Sequence, residues 1–74
     1  MISEYIEQLG EDYHGMSFSQ SERGGICVSV DGAEYEIFEN DCFRWDVMDR
    51  AGDIMARGYV SLDSAVRAII AAES

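Results

Sequence analysis

The stretch "ICVSVDGAEYEIF", residues 26–38, constrains the fold more than any other part of the chain. Two runs of alternating apolar and polar side chains flank Asp31-Gly32, a dipeptide in which both residues tolerate positive φ. A two-residue turn there predicts an antiparallel hairpin pairing Val30 with Ala33, Val28 with Tyr35 and Ile26 with Ile37. These six side chains share one face, and Cys27, Ser29, Glu34 and Glu36 share the other. The chain has 74 residues, enough for a single domain over 1–74 with one small core. Whatever else it forms must cover that apolar face.

The alternation resumes in "FRWDVMD". A one-residue slip between strands exchanges their faces, so the length of the connection can be tested by parity. A two-residue loop would set Glu36 against Trp45 and Ile37 against Arg44. A three-residue loop, Glu39-Asn40-Asp41, pairs Ile37 with Phe43, Tyr35 with Trp45 and Ala33 with Val47, and keeps every large apolar group on one side. It also sets Glu36 opposite Arg44, and Glu34 opposite Asp46, on the solvent face. "DRAG" at 49–52 reads as a turn into a further strand, "DIMARGYV". There the register stays open, with either Ile54 and Ala56 or Met55 and Tyr59 facing the core. "HGMSFSQSERGG" alternates Met16 and Phe18 with serines and predicts an edge strand ending in a glycine turn.

Ser3 is placed to cap an N-terminal helix in which Ile2, Tyr5, Ile6 and Leu9 recur at helical spacing, ending at Gly10 or fraying on towards Tyr13. Ser61 caps a C-terminal helix with Asp63 in its first turn and an apolar stripe of Leu62, Ala65, Val66, Ile69 and Ile70. The expected fold class is α+β. It is an antiparallel β-meander of four to five strands with an N-terminal and a C-terminal helix packed on one face, leaving the other wet.

Fifteen acids stand against five bases, all of them Arg, for a net charge of −10. That sign repels nucleic acid and anionic lipid and attracts basic proteins. DNA affinity comes largely from Lys and Arg neutralising phosphates, so direct nucleic-acid binding is not expected. Neither is catalysis. His14 is the only histidine and has no evident Cys or Ser partner. "ENDCFRWD" lacks the order and glycine of a calcium loop, and "SERGGI" lacks the helix and lysine of a phosphate loop. Cys27 and Cys42 have neither CxxC nor zinc spacing and read as two thiols of a reducing cytosol, with a disulfide between them as the alternative. No cofactor or metal is implied. No run reaches the ~18 apolar residues of a membrane span, and "MISEYIEQLG" lacks the basic and apolar regions of a signal peptide. A cytoplasmic monomer is the expectation.

The acids themselves are the candidate site. A net charge of magnitude about 2–8 suffices for the solubility of a small domain, and like charges directly opposed on a sheet are destabilising. Glu34, Glu36 and Asp46 on the expected solvent face, with Asp31, Glu39 and Asp41 in the adjoining turns, are the predicted partner-binding residues. Carboxylates on a rigid sheet present negative charge somewhat as a phosphate backbone does, and the fitting partner is a basic nucleic-acid-binding protein.

The acidic sheet "DGAEYEIFEND", followed by "FRWDVMDRAGDIMARGYVSLDSAVRAI", resembles the small phage-encoded anti-CRISPR proteins, several of which act as DNA mimics. The resemblance is one of style over the whole chain, with no diagnostic motif. It implies a non-enzymatic inhibitor in the host bacterial cytoplasm, blocking the basic DNA-binding site of a type I surveillance (Cascade) complex. The alternative is a small acidic interaction module, such as an antitoxin or accessory subunit, docking through an apolar patch that contains Met48, Phe38 or Met55. Salt separates the two, because attraction between exposed charges is screened and apolar contact is not.

Overall fold

The computed structural model describes residues 2–73. Two helices, α1 (Ile2–Asp12) and α2 (Leu62–Glu73), enclose five strands: β1 (Met16–Gln20), β2 (Ile26–Val30), β3 (Ala33–Glu39), β4 (Trp45–Asp49) and β5 (Ile54–Tyr59). The strands form one antiparallel sheet in the order β1-β2-β3-β4-β5. The expected α+β meander is what the chain forms, with five strands.

The central hairpin follows its turn chemistry. Asp31 and Gly32 have φ of 49° and 83°, the two positive values that a type I′ turn requires. Val30 pairs with Ala33, Val28 with Tyr35 and Ile26 with Ile37. β1 continues this apolar face by setting Phe18 against Val28 and Met16 against Val30. Leu9 from α1 and Leu62, Ala65, Val66 and Ile69 from α2 complete a buried cluster with Ile26, Val28, Ile37, Trp45 and Val47. Both helices therefore cover the same face of the sheet. Ile37, Val47 and Ile26 are fully buried in it, each contributing roughly 1.5–3 kcal/mol by removal from water.

The helix ends differ in how they match expectation. Ser61 caps α2 by accepting from the Ser64 N–H at 3.2 Å, as the sequence suggests. α1 begins at Ile2, so Ser3 lies inside its first turn, and it runs through Gly10 to Asp12. The last turn is held by burial of Leu9 and by the Tyr13 N–H donating to the Leu9 carbonyl at 2.9 Å. The chain leaves the helix at Gly15, with φ of 87°. The Ile2 side chain, expected on the apolar stripe, lies outside the described part of the structure. Tyr13 then ties the two helices together, its hydroxyl donating to Asp63, which also pairs with Arg67 at 3.0 Å. Burial, and then the Asp63 hydrogen bond, raise the Tyr13 pKa.

The β3–β4 register corrects the sequence reading. Ile37 pairs with Val47, Tyr35 with Asp49, Glu39 with Trp45, Glu36 with Met48 and Phe38 with Asp46. β4 is thus displaced by four residues from the expected pairing. The shift preserves parity, so Trp45 and Val47 still face the core, but Glu34 no longer opposes Asp46, nor Glu36 Arg44. Phe43 leaves the core for the connecting turn and is 77% exposed.

The cause is a turn that the chain uses three times. Ser21, Asn40 and Asp49 each open it. In each, the carbonyl of the first residue accepts from the N–H three residues on, at 3.0–3.1 Å, and its N–H donates to the carbonyl four residues on, at 2.8–2.9 Å. Its side-chain oxygen accepts from the N–H four residues on: Ser21 from Gly25 at 2.8 Å, Asn40 from Arg44 at 3.2 Å and Asp49 from Asp53 at 3.0 Å. The fourth residue takes positive φ: 84° at Gly24, 91° at Gly52 and 59° at Phe43. Left-handed backbone costs a residue with a Cβ about 1–2 kcal/mol. Two of the three turns avoid that strain with glycine, and the third does not.

The last hairpin takes one residue from each of the two registers left open. Tyr59 pairs with Trp45 and Ala56 with Val47, so Arg57 and Gly58 on β5 stand opposite the single residue Asp46 on β4. Gly58, with φ of 77°, sits in this bulge, which lets Ala56 and Tyr59 both pack against the core.

Candidate functional site

The six predicted partner-binding acids do not form one surface. β3 is seven residues long, so Asp31 at one end and Glu39 and Asp41 at the other stand about 20 Å apart. All three are exposed. Between them lie Glu34 and Glu36 on the open face of the sheet. Glu34 is exposed and pairs with Arg50 at 3.3 Å. Such a surface pair contributes little, about 0–1 kcal/mol, so a competing partner can displace it. Glu36 is half-buried and accepts a hydrogen bond from the Ser21 hydroxyl at 3.1 Å.

Asp46 is the exception. Its register position is on the open face, yet the residue is only 8% exposed. One carboxylate oxygen accepts from the Asn40 amide at 3.0 Å and from the Gly58 N–H at 3.0 Å. It latches the β3–β4 turn to the β5 bulge. Its carboxylate is engaged in holding the fold, and little of it is left for the partner contact expected of it.

A further row of acids, outside the six expected, lies on α1. Glu4, Glu7 and Glu11 are exposed on it at i, i+3 and i+7, the spacing that aligns side chains along one face of a helix at intervals of about 5–6 Å. The signal was the same helical periodicity that located Leu9, read for charge in place of apolarity. Among the described residues, only Arg50 and Arg67 form ion pairs. Most of the fifteen acids thus face solvent without a fixed cation.

The open face also carries Cys27, opposite Glu36. Burial raises its pKa, and Glu36, Glu34 and Glu22 push it further in the same direction. Both cysteines are free, and Cys42 is exposed. Since the thiolate is the nucleophile, iodoacetamide at pH 8 should label exposed Cys42 before half-buried Cys27. Mass spectrometry of the partly labelled protein checks this, and equal labelling of both would contradict the assigned environment of Cys27.

Among the described residues, no group of three or more His, Cys, Asp or Glu side chains is placed to hold a metal ion. No helix among them is long and apolar enough to cross a membrane. No family model, curated protein or solved structure matches the chain.

Proposed function

We propose that this protein is a non-enzymatic inhibitor that occupies the Lys- and Arg-lined nucleic-acid site of a basic protein. The observation that carries the reading is the distribution of its charge. The acids sit outside a compact core, on α1 and at the ends of the sheet, with few fixed counterions. A field of one sign raises the encounter rate with a basic partner and opposes binding of nucleic acid to the inhibitor itself. On this reading the contact is made by Glu4, Glu7 and Glu11 of α1 with Glu39 and Asp41 at the Trp45 end of the sheet, while Asp31, Glu34 and Glu36 add to the long-range field and Asp46 supports the fold. The resemblance to anti-CRISPR proteins supports a type I Cascade complex as the first target to try.

The test is target-DNA binding by purified type I Cascade, with and without the protein, at two salt concentrations. DNA binding should be lost at low salt and largely recovered at moderate salt. Replacing Glu7, Glu11 and Asp41 together with Lys should leave the fold intact and weaken inhibition roughly tenfold or more. DNA binding untouched by the folded protein at both salts would remove Cascade as the target.

A second reading, docking through an apolar patch, also has support, but not at the residues expected for it. Phe38 and Met48 are half-buried on the open face and Met55 is only marginally exposed. The most exposed large apolar residues are Phe43 and Val60, at 77% and 75%.

A further inference from the structure

We infer that the tip of the β3–β4 hairpin is an aromatic anchor, and that its occupant is a protein surface in which an apolar recess is bordered by Lys or Arg. Phe43 occupies the one left-handed turn position of the three that is not glycine. The same backbone forms at Gly24 and Gly52, so the turn itself needs no side chain there. The residue is 77% exposed and is not part of the buried cluster. A strained backbone that holds an aromatic ring in water is the kind of outlier from which a functional contact is argued.

The neighbourhood of Phe43 extends the patch. Tyr5 of α1, 46% exposed, meets Trp45 edge-on with ring centroids 6.0 Å apart. Val60, 75% exposed, follows Tyr59, the ladder partner of Trp45. Tyr5, Phe43 and Val60 therefore all belong to segments that meet at the Trp45 end of the sheet. Glu39 and Asp41 flank the same loop, and Glu4 precedes Tyr5 at the start of the acidic row on α1. An apolar centre with a charged rim is the usual anatomy of a protein contact, with aromatic anchors near its middle. Exposed Arg44 stands beside Phe43, but Glu4, Glu39 and Asp41 outnumber it, so the rim is acidic on balance. Charge complementarity then selects a basic occupant over a second copy of a chain carrying −10. The inference rests on the reading of the partner as a basic protein, and adds the point at which it is held.

The probes are two helical peptides of equal positive charge, one amphipathic and built of Lys and Leu, the other with every Leu replaced by Gln. Each is titrated into the isotopically labelled protein and followed by backbone NMR. The Lys/Leu peptide should shift the resonances of residues 39–45, Tyr5 and Val60, and the Lys/Gln peptide should bind more weakly. Phe43→Gly keeps the turn, should raise the Tm by about 2–5 °C, and should weaken the Lys/Leu complex tenfold or more. Equal binding of both peptides, or binding unaffected by Phe43→Gly, overturns the anchor and leaves the acidic reading standing. Salt-insensitive binding at the tip overturns the basic rim instead. No binding of either peptide at low salt removes both. A Phe43-dependent dimer in sedimentation velocity would make the occupant a second copy and overturn the basic partner.

Discussion

Replacing Gly25 with alanine is expected to lower the Tm by more than about 12 °C, the equivalent of roughly 3 kcal/mol or more in a domain of this size. A Cβ at this position would lie 2.5 Å from the Ile37 carbonyl oxygen, 3.2 Å from the Phe38 Cβ and 3.3 Å from the Ser21 hydroxyl. The first of these is backbone, in the middle strand of the sheet, and Ile37 itself is fully buried. It cannot yield without opening the β2–β3 ladder. Gly25 also donates to the Ser21 side chain at 2.8 Å and accepts from the Ser21 N–H at 2.9 Å. Displacing it therefore disturbs the first of the three turns as well. Total stability for 74 residues is about 4–11 kcal/mol, so this one methyl group consumes a large share. The neighbouring Gly24→Ala is the control. A Cβ there meets nothing within 4 Å, and its cost is confined to the left-handed backbone, about 1 kcal/mol. Thermal melts followed by circular dichroism compare the two. A Gly25→Ala shift no larger than that of Gly24→Ala would mean that the β2–β3 edge yields at Ile37 after all.

The contrast shows where sequence reading reaches its limit. "SERGG" announces a turn, and Gly24 fills the position that such a turn requires. Nothing in the pair of glycines separates the one needed for its φ from the one needed for its lack of volume, because the second depends on β3 arriving above it. The Asp31-Gly32 hairpin was legible because turn type, residue preference and face parity all select the same register. The β3–β4 connection was not, since parity alone cannot distinguish pairings four residues apart. The missing signal was Asn40, whose side-chain oxygen accepts from Cys42 and Arg44 at 2.8 and 3.2 Å and so closes a longer turn than parity required. The β5 bulge was hidden for a similar reason. Gly58 marks it, but an isolated glycine in a strand pattern does not say which side gains the extra residue.

These register errors changed the candidate site more than the fold. Moving β4 by four residues left the core almost as expected, since Trp45 and Val47 kept their face. The same shift separated Glu34 from Asp46 and placed Phe43 in solvent. A set of acids expected as one facing array became a scatter along the length of β3, from Asp31 at one end to Glu39 and Asp41 at the other, with α1 supplying the more regular row. Core positions survive a parity-preserving slip because burial depends only on the face. Surface constellations do not, because they depend on which residues are neighbours.

Asp46→Lys is accordingly expected to behave as a core mutation, and Glu34→Lys as a surface one, although both reverse one acid on the same face of the sheet. At Glu34 the loss is an exposed pair with Arg50, about 0–1 kcal/mol. At Asp46 the change removes the acceptor shared by the Asn40 amide and the Gly58 N–H and puts an ammonium group where only 8% of the residue reaches water. Each donor left unpaired costs about 1–3 kcal/mol, and the new cation has no carboxylate at that point to offset its desolvation. The sum is about 3 kcal/mol or more, and the losses should appear at both places Asp46 connects: the Asn40 turn and the β5 bulge. Asp46→Asn retains an acceptor oxygen of the same reach and should recover most of the difference. Urea unfolding of the three variants separates these cases, with a marked fall in midpoint for Asp46→Lys alone. A midpoint for Asp46→Lys matching that of Glu34→Lys would show that the Asp46 carboxylate is not the latch between the turn and the bulge, and would return it to the surface available to a partner.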